Sequence, residues 1–195
     1  MNLDLLESIG LGLGLGIAAG FRIVVPFLVL SSAALFGHLP LTEQMNWLGT
    51  YPAFIGLSIA LAVEILAYSI PWFDSFVDTI ALPIAAVAGT VIMAIATNQL
   101  DPFAQWTLAI IVGGSAAATV RGLNGFTRLV STTTTGGLAN FLIAIAELIG
   151  AVVLSLLSLI APVVALVVVT VLLIGLLRFT LKTFASQQPT TPGAE

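Results

Sequence analysis

The chain contains no cysteine and a single histidine, His38, among its 195 residues. Without a thiol there is no disulfide, thiolate metal site, iron–sulfur cluster or cysteine nucleophile, and one imidazole cannot build a His-rich metal site. Charge is equally scarce: 7% of residues are Asp, Glu, Lys or Arg, against about 25% in an ordinary soluble domain. Five basic residues against nine acidic ones leave a net charge of −4. No basic surface is available for nucleic acid or for anionic lipid headgroups. These absences argue against redox, zinc and nucleic-acid functions, and no cofactor is expected.

What the chain has is apolar bulk, at 59% of residues and a mean hydropathy of +1.17. A water-facing surface cannot be made from so few charges, so the expected partner is a lipid bilayer. At about 20 residues per helical span, the length allows about six spans and no separate soluble domain. The opening run MNLDLLESIG carries Asp4 and Glu7 where a signal peptide would carry Lys or Arg, so the first apolar run is expected to be retained.

Apolar runs bounded by turn residues divide the chain into segments at 9–36, 53–70, 77–97, 104–121, 137–160 and 162–182. The pattern predicts an all-α polytopic bundle, a single transmembrane domain over 1–184 followed by a disordered cytoplasmic tail at 185–195. The first segment is too long for one upright helix and holds Gly20, Arg22 and Pro26 in its middle. Proline removes a backbone donor and clashes with the preceding turn, so this segment is predicted to break into two half-helices. A similar disturbance is read at Arg121-Gly122-Leu123-Asn124-Gly125, before the polar run Ser131 to Gly137.

Aligning the two disturbed segments suggests an internal repeat over 9–98 and 104–182. Ala18-Ala19-Gly20-Phe21-Arg22 then falls on Ala117-Ala118-Thr119-Val120-Arg121, and Glu64 falls on Glu147 once residues 38–51 are treated as an insertion. Three segments per half is an odd number, so the halves would be inverted, a plan common in transporters. With six spans, Arg121 and Arg128 fall in one loop and Arg178 and Lys182 in the C-terminal flank, while the opposite loops carry only His38, Glu43 and Asp101. By the positive-inside rule, both termini are expected in the cytoplasm.

The candidate functional residues are the ionisable ones that cannot reach water, because a charge at a span centre costs about 2.5–3.5 kcal/mol. Glu64 and Glu147 lie inside the second and fifth segments, and Arg22 and Arg121 lie at the disturbances. Two carboxylates lining a pathway would bind a proton or cation, with the arginines as counter-charges or anion ligands. The competing reading is that the arginines simply pair with the glutamates and fix helix packing. Asp74 and Asp78, four residues apart, would share a helix face and suit a divalent cation; helix capping explains them equally well. No metal site is assigned.

The run Glu64-Ile-Leu-Ala-Tyr-Ser-Ile-Pro71-Trp-Phe-Asp74-Ser-Phe-Val-Asp78-Thr-Ile-Ala-Leu-Pro83, followed by Ala88-Gly89, resembles the signature of a bacterial membrane family known only as a domain of unknown function, number four-one-two-six. Upstream, Gly20-Phe21-Arg22 with Pro26-Phe27 looks like that family's first-span motif. Where the family commonly has a Lys before the Ile-Pro, this chain has Ser69. The resemblance implies a multi-pass protein of the bacterial inner membrane, and it carries no activity with it.

Gly12, Gly16 and Gly20 recur every fourth residue, a spacing that lets helices pack closely in lipid and that also suggests a homodimer. The leading expectation is a small transporter or channel for an ion or small solute. The alternative is a non-transporting scaffold of a larger membrane complex, docked through the glycine face. A membrane enzyme is not expected, since no nucleophile and base are paired.

Overall fold

A computed structural model describes the backbone of residues 3–37, 43–67 and 71–185, and their side chains except those of 43–44, 67, 71–79, 173, 175–177 and 179–185. It is a bundle of helices, and no strand occurs among the described residues. The helices are α1 (Leu3–Phe21), α2 (Val24–Gly37), α3 (Tyr51–Ala67), α4 (Pro71–Ala96), α5 (Pro102–Leu108), α6 (Ser115–Thr135), α7 (Asn140–Ile160) and α8 (Pro162–Ala185). A 3-10 turn at Glu43–Gly49 precedes α3, and a π turn at Ala109–Gly114 joins α5 to α6.

Among the described residues, three stretches are long and apolar enough to cross a membrane: Leu3–Phe21, Pro102–Thr135 and Asn140–Ile160. Further apolar helical stretches lie at Val24–Gly37, Tyr51–Leu66, Ile80–Ala96 and Pro162–Leu172. Ile59 and Val63 of α3, Ile149 and Val153 of α7, and Val167 and Val171 of α8 all point outward. Exposed apolar side chains on one helix after another are what a lipid solvent permits and water does not.

The helix α1 is the centre of the bundle. It packs on α4, α6, α7 and α8, and every residue from Gly12 to Gly20 is buried. Small residues allow that position. Gly16 meets Gly89 of α4 and the Gly113 carbonyl of the π turn, and a Cβ built on Gly20 would stand 2.7 Å from the Ala117 carbonyl oxygen. On Gly12, a Cβ would stand 2.5 Å from the Met93 sulfur. The glycine stripe therefore faces other helices of the same chain. The close packing that its spacing suggests is met within the chain.

These contacts also fix directions. Gly12 opposite Met93 and Gly16 opposite Gly89 make α1 and α4 antiparallel, which sets the region of Ile84 level with Phe21. In α3, Glu64 is level with Ile23, since its carboxylate accepts from the Ile23 amide. The chain must leave that level after Glu64 and return to it by residue 84, so α3 and α4 run in opposite directions. The helices α2 and α3 are also antiparallel, with Phe36 stacked edge-on to Phe54 at the far end. It follows that α2 runs back against α1. The predicted break is present at Arg22-Ile23, and it is a reversal.

The local cause is Pro26. A continuing helix would bring its ring against the carbonyl of Arg22, four residues back. Placed instead in the first turn of α2, it occupies a position whose amide has no intrahelical partner anyway.

The reversal changes two expectations. It adds one pass, so α1 and α8 run the same way, with Gly10 beside Pro162 and Gly14 beside Ala165. The N-terminal end of α1 and the C-terminal end of α8 thus lie at opposite ends of the bundle. The aligned segments also fail as inverted counterparts: α1 and α6 lie side by side and parallel, Gly20 against Ala117 and Gly16 against Gly113.

The fourth segment differs from expectation as well. Residues 121–125 do not interrupt it, and α6 continues through Arg121, Arg128 and the Ser/Thr run to Thr135. There the hydroxyls bond back to carbonyls one turn earlier, Thr132 to Arg128 and Thr135 to Ser131. Gly136 ends the helix at φ +63°, a left-handed conformation glycine adopts at no steric cost. The irregularity of this rod is the π turn, where Gly113 and Gly114 let α4 approach. Arg121 and Arg128 are therefore not loop residues; both are buried. His38 and residues 186–195, with the expected tail, lie outside the described residues.

Candidate functional site

Five ionisable side chains meet beside the α1–α2 reversal. Arg22 sits on the reversal itself, Glu64 comes from α3, Arg121 and Arg128 from α6 two turns apart, and Glu147 from α7. Arg22 and Arg121 are each 1% exposed, Arg128 and Glu147 each 3%. Arg121 and Arg128 lie seven residues apart, close to two helical turns, so one face of α6 presents both.

Glu147 is held on both oxygens. The Arg128 Nε donates to its Oε1 at 3.2 Å, and the Arg128 Nη2 donates to its Oε2. This two-point geometry is the strongest pairing a guanidinium offers a carboxylate. The Arg22 Nε stands 3.8 Å from the same Oε2, so one acid serves two bases.

The other contacts secure helix ends. Arg22 donates from Nη2 to the Ala144 carbonyl at 3.2 Å, tying the reversal to α7. The Arg121 Nη1 donates to the Phe21 carbonyl at 3.3 Å. That carbonyl is in the last turn of α1, the end where a cation complements the helix dipole. Glu64 does the reverse at the start of α2: its Oε1 accepts from the Ile23 amide at 3.3 Å, and the Val24 amide also faces the carboxylate. The broken helix thus ends on an arginine and restarts on a glutamate, each matched to the local dipole.

The two acids are held very differently. Glu64 Oε2 is buried with no hydrogen-bond partner, while both Glu147 oxygens are engaged. Arg22 and Arg121 act on Glu64 electrostatically, and Arg121 also feels Glu147 and Arg128. The five charges form one coupled group.

Depth follows from α7. Glu147 stands seven residues into that 21-residue helix, about 10 Å from its N-terminal end and about 20 Å from the other, at 1.5 Å per residue. The cluster lies nearer the end of the bundle that carries the α6–α7 turn.

The four residues named from sequence, Arg22, Glu64, Arg121 and Glu147, are brought together. Arg128, assigned from sequence to a loop, is the fifth member and the direct partner of Glu147. A signal was present: it follows Arg121 by seven residues. Asp74 and Asp78 are on α4, but their side chains lie outside the described residues. Among the described residues, no three His, Cys, Asp or Glu side chains gather as a metal site.

A bundle of apolar helices around a buried Arg/Glu cluster at a broken helix defines an integral membrane protein. The chain belongs to the family described as a domain of unknown function (DUF4126), which it matches over residues 9–182. No curated protein and no solved structure matches it at a significant level.

Proposed function

We propose that the protein is a small membrane transporter or channel for an ion or small solute, with its site at the α1–α2 reversal. The observation that carries this reading is the cluster itself. Three arginines and two glutamates are placed where a bilayer makes charge costly, and a purely structural ion pair is often no more stable than a hydrophobic substitute. Intramembrane ionisable residues of this kind usually mark a substrate or ion pathway. Discontinuous helices whose ends aim backbone dipoles at one point recur at transport sites.

Orientation follows from the distribution of charge. The end of the bundle holding the start of α1 and the α4–α5 turn carries Asp4, Glu7 and Asp101 and no Lys or Arg. Arg22, Arg121, Arg128, Arg178 and Lys182 all lie toward the other end. By the positive-inside rule, we read that second end as the cytoplasmic one, and the membrane as the bacterial inner membrane. The sequence-based side of each interhelical turn is kept, and only the start of α1 moves to the outer face. Trp47, Tyr51 and Trp106, all exposed near the outer end, suit a membrane–water interface.

The scaffold alternative rested on a free glycine face, and α1 has none. Flux decides the question. Protein reconstituted in vesicles is expected to pass an ion or small solute, at a rate that falls at least tenfold in a folded Arg22→Gln variant. A folded wild-type protein that passes neither potassium, sodium, chloride nor a small neutral solute overturns the proposal.

A further inference from the structure

Glu64 occupies a place built for a negative group. It lies at the amide end of α2, a helix of 14 residues, where free N–H groups and the helix dipole favour an anion. Two deeply buried guanidiniums, Arg22 and Arg121, act on the same point. The chemistry of that point is the chemistry of an anion site, and the group now in it is a carboxylate on a tether.

The tether is incompletely satisfied at its head and thinly enclosed along its helix. At the carboxylate, one oxygen accepts a 3.3 Å bond from the Ile23 amide, the Val24 amide also faces the group, and Oε2 is buried with no hydrogen-bond partner. A buried, unsatisfied carboxylate oxygen is an expensive state, and Glu147 nearby shows that this cluster can satisfy both oxygens of an acid. At the level of the helix, α3 packs chiefly on α2 and the 3-10 turn. Its remaining faces, through Ile55, Ile59, Val63 and Leu66, are exposed to the surroundings. Of the helices that contribute to the cluster, it is the one least enclosed by others.

We infer that the start of α2, between Arg22 and Arg121, is a binding site for a small anion, and that the Glu64 carboxylate is its built-in competitor. When α3 carries Glu64 away, a halide or small carboxylate takes its place on the Ile23 and Val24 amides. Glu147 stays locked to Arg128 throughout and keeps the site walls in register. This inference rests on the transport reading and names its substrate class.

The test uses full-length protein in vesicles and in detergent. In vesicles, Glu64→Gln keeps the side-chain shape but removes the competing charge. It is expected to raise chloride flux at least tenfold over wild type, and adding Arg22→Gln is expected to return the flux to the wild-type rate or below. In detergent, formate is the probe: Glu64→Ala is expected to bind it saturably and at least tenfold more tightly than wild type does.

Chloride flux in Glu64→Gln no higher than wild type, in protein of unchanged melting temperature, overturns the inference and leaves Glu64 a helix cap. Potassium flux without chloride flux overturns the anion site while sparing the transport reading. Tight formate binding with no flux of any ion supports the anion site and removes the transport reading. If Glu64→Ala does not fold, the Glu64→Gln flux decides alone.

Discussion

The Glu147 carboxylate is shared by Arg128 and Arg22, which predicts an unequal cost for breaking the cluster from its two sides. At an effective dielectric of about 20, a pair at the 3.2 Å Arg128–Glu147 separation is worth about 5 kcal/mol before desolvation, and one at the 3.8 Å Arg22–Glu147 separation about 4. Desolvation consumes much of this in the intact protein, but removing one partner strands the other, at about 3–5 kcal/mol. Glu147→Gln strands two guanidiniums at once. Arg128→Gln leaves Glu147 still facing Arg22. Glu147→Gln is therefore expected to cost about 4 kcal/mol and Arg128→Gln about 2–3, with a coupling energy of at least about 2 in the double variant. Reversible unfolding in mixed micelles, followed by fluorescence of the three tryptophans, measures all three. Arg128→Gln costing more than Glu147→Gln, or a coupling below about 0.5 kcal/mol, refutes the shared-acid geometry.

Other perturbations separate packing from site and from topology. Gly89→Ala places a methyl group 2.5 Å from the Gly113 carbonyl oxygen and 2.6 Å from Ala117 Cβ, and is expected to destabilise by about 2–3 kcal/mol through overpacking. Gly150→Ala, in the middle of α7 with nothing within 4 Å, is expected to stabilise by about 0.5–1 kcal/mol; the same micelle unfolding compares the two. The absence of native cysteine makes single-cysteine labelling clean: Asn98→Cys and Glu7→Cys should react from the outer face and Thr134→Cys only from the cytoplasmic face. Glu7→Cys and Thr134→Cys reacting from the same side would return α1 to a single pass continuous with α2. Gly136→Ala, at a φ of +63°, is expected to cost about 1 kcal/mol.

Composition by itself determined the solvent. With 7% charge and 59% apolar residues, no arrangement of this chain gives a water-soluble surface, and that conclusion needs no coordinates. The sequence also determined where helices can exist and marked where the first is disfavoured, because Pro26 removes a donor from a helix continuing through Arg22 and crowds its carbonyl; Pro83, inside α4, shows that packing decides whether such a mark becomes a break. It marked Arg22, Glu64, Arg121 and Glu147 as costly, since the cost of a buried charge depends on its residue type and its depth.

Direction and partnership were decided only in three dimensions. The break before Pro26 does not by itself say whether the chain continues or turns back, and it is the register of α1 on α4 and of α2 on α3 that makes it a reversal. Reversal moved the start of α1 to the opposite end from the C-terminal end of α8 and aligned α1 with α6 in parallel. Residue spacing treated Arg128 as a loop charge because Gly122, Gly125 and the Ser/Thr run look like a helix end. In the folded protein those hydroxyls satisfy the helix's own carbonyls, and α6 carries Arg128 inward to Glu147. Glycine at every fourth position announced close packing, but not against what. That depends on which helices surround α1, a matter of tertiary contact that no local pattern contains.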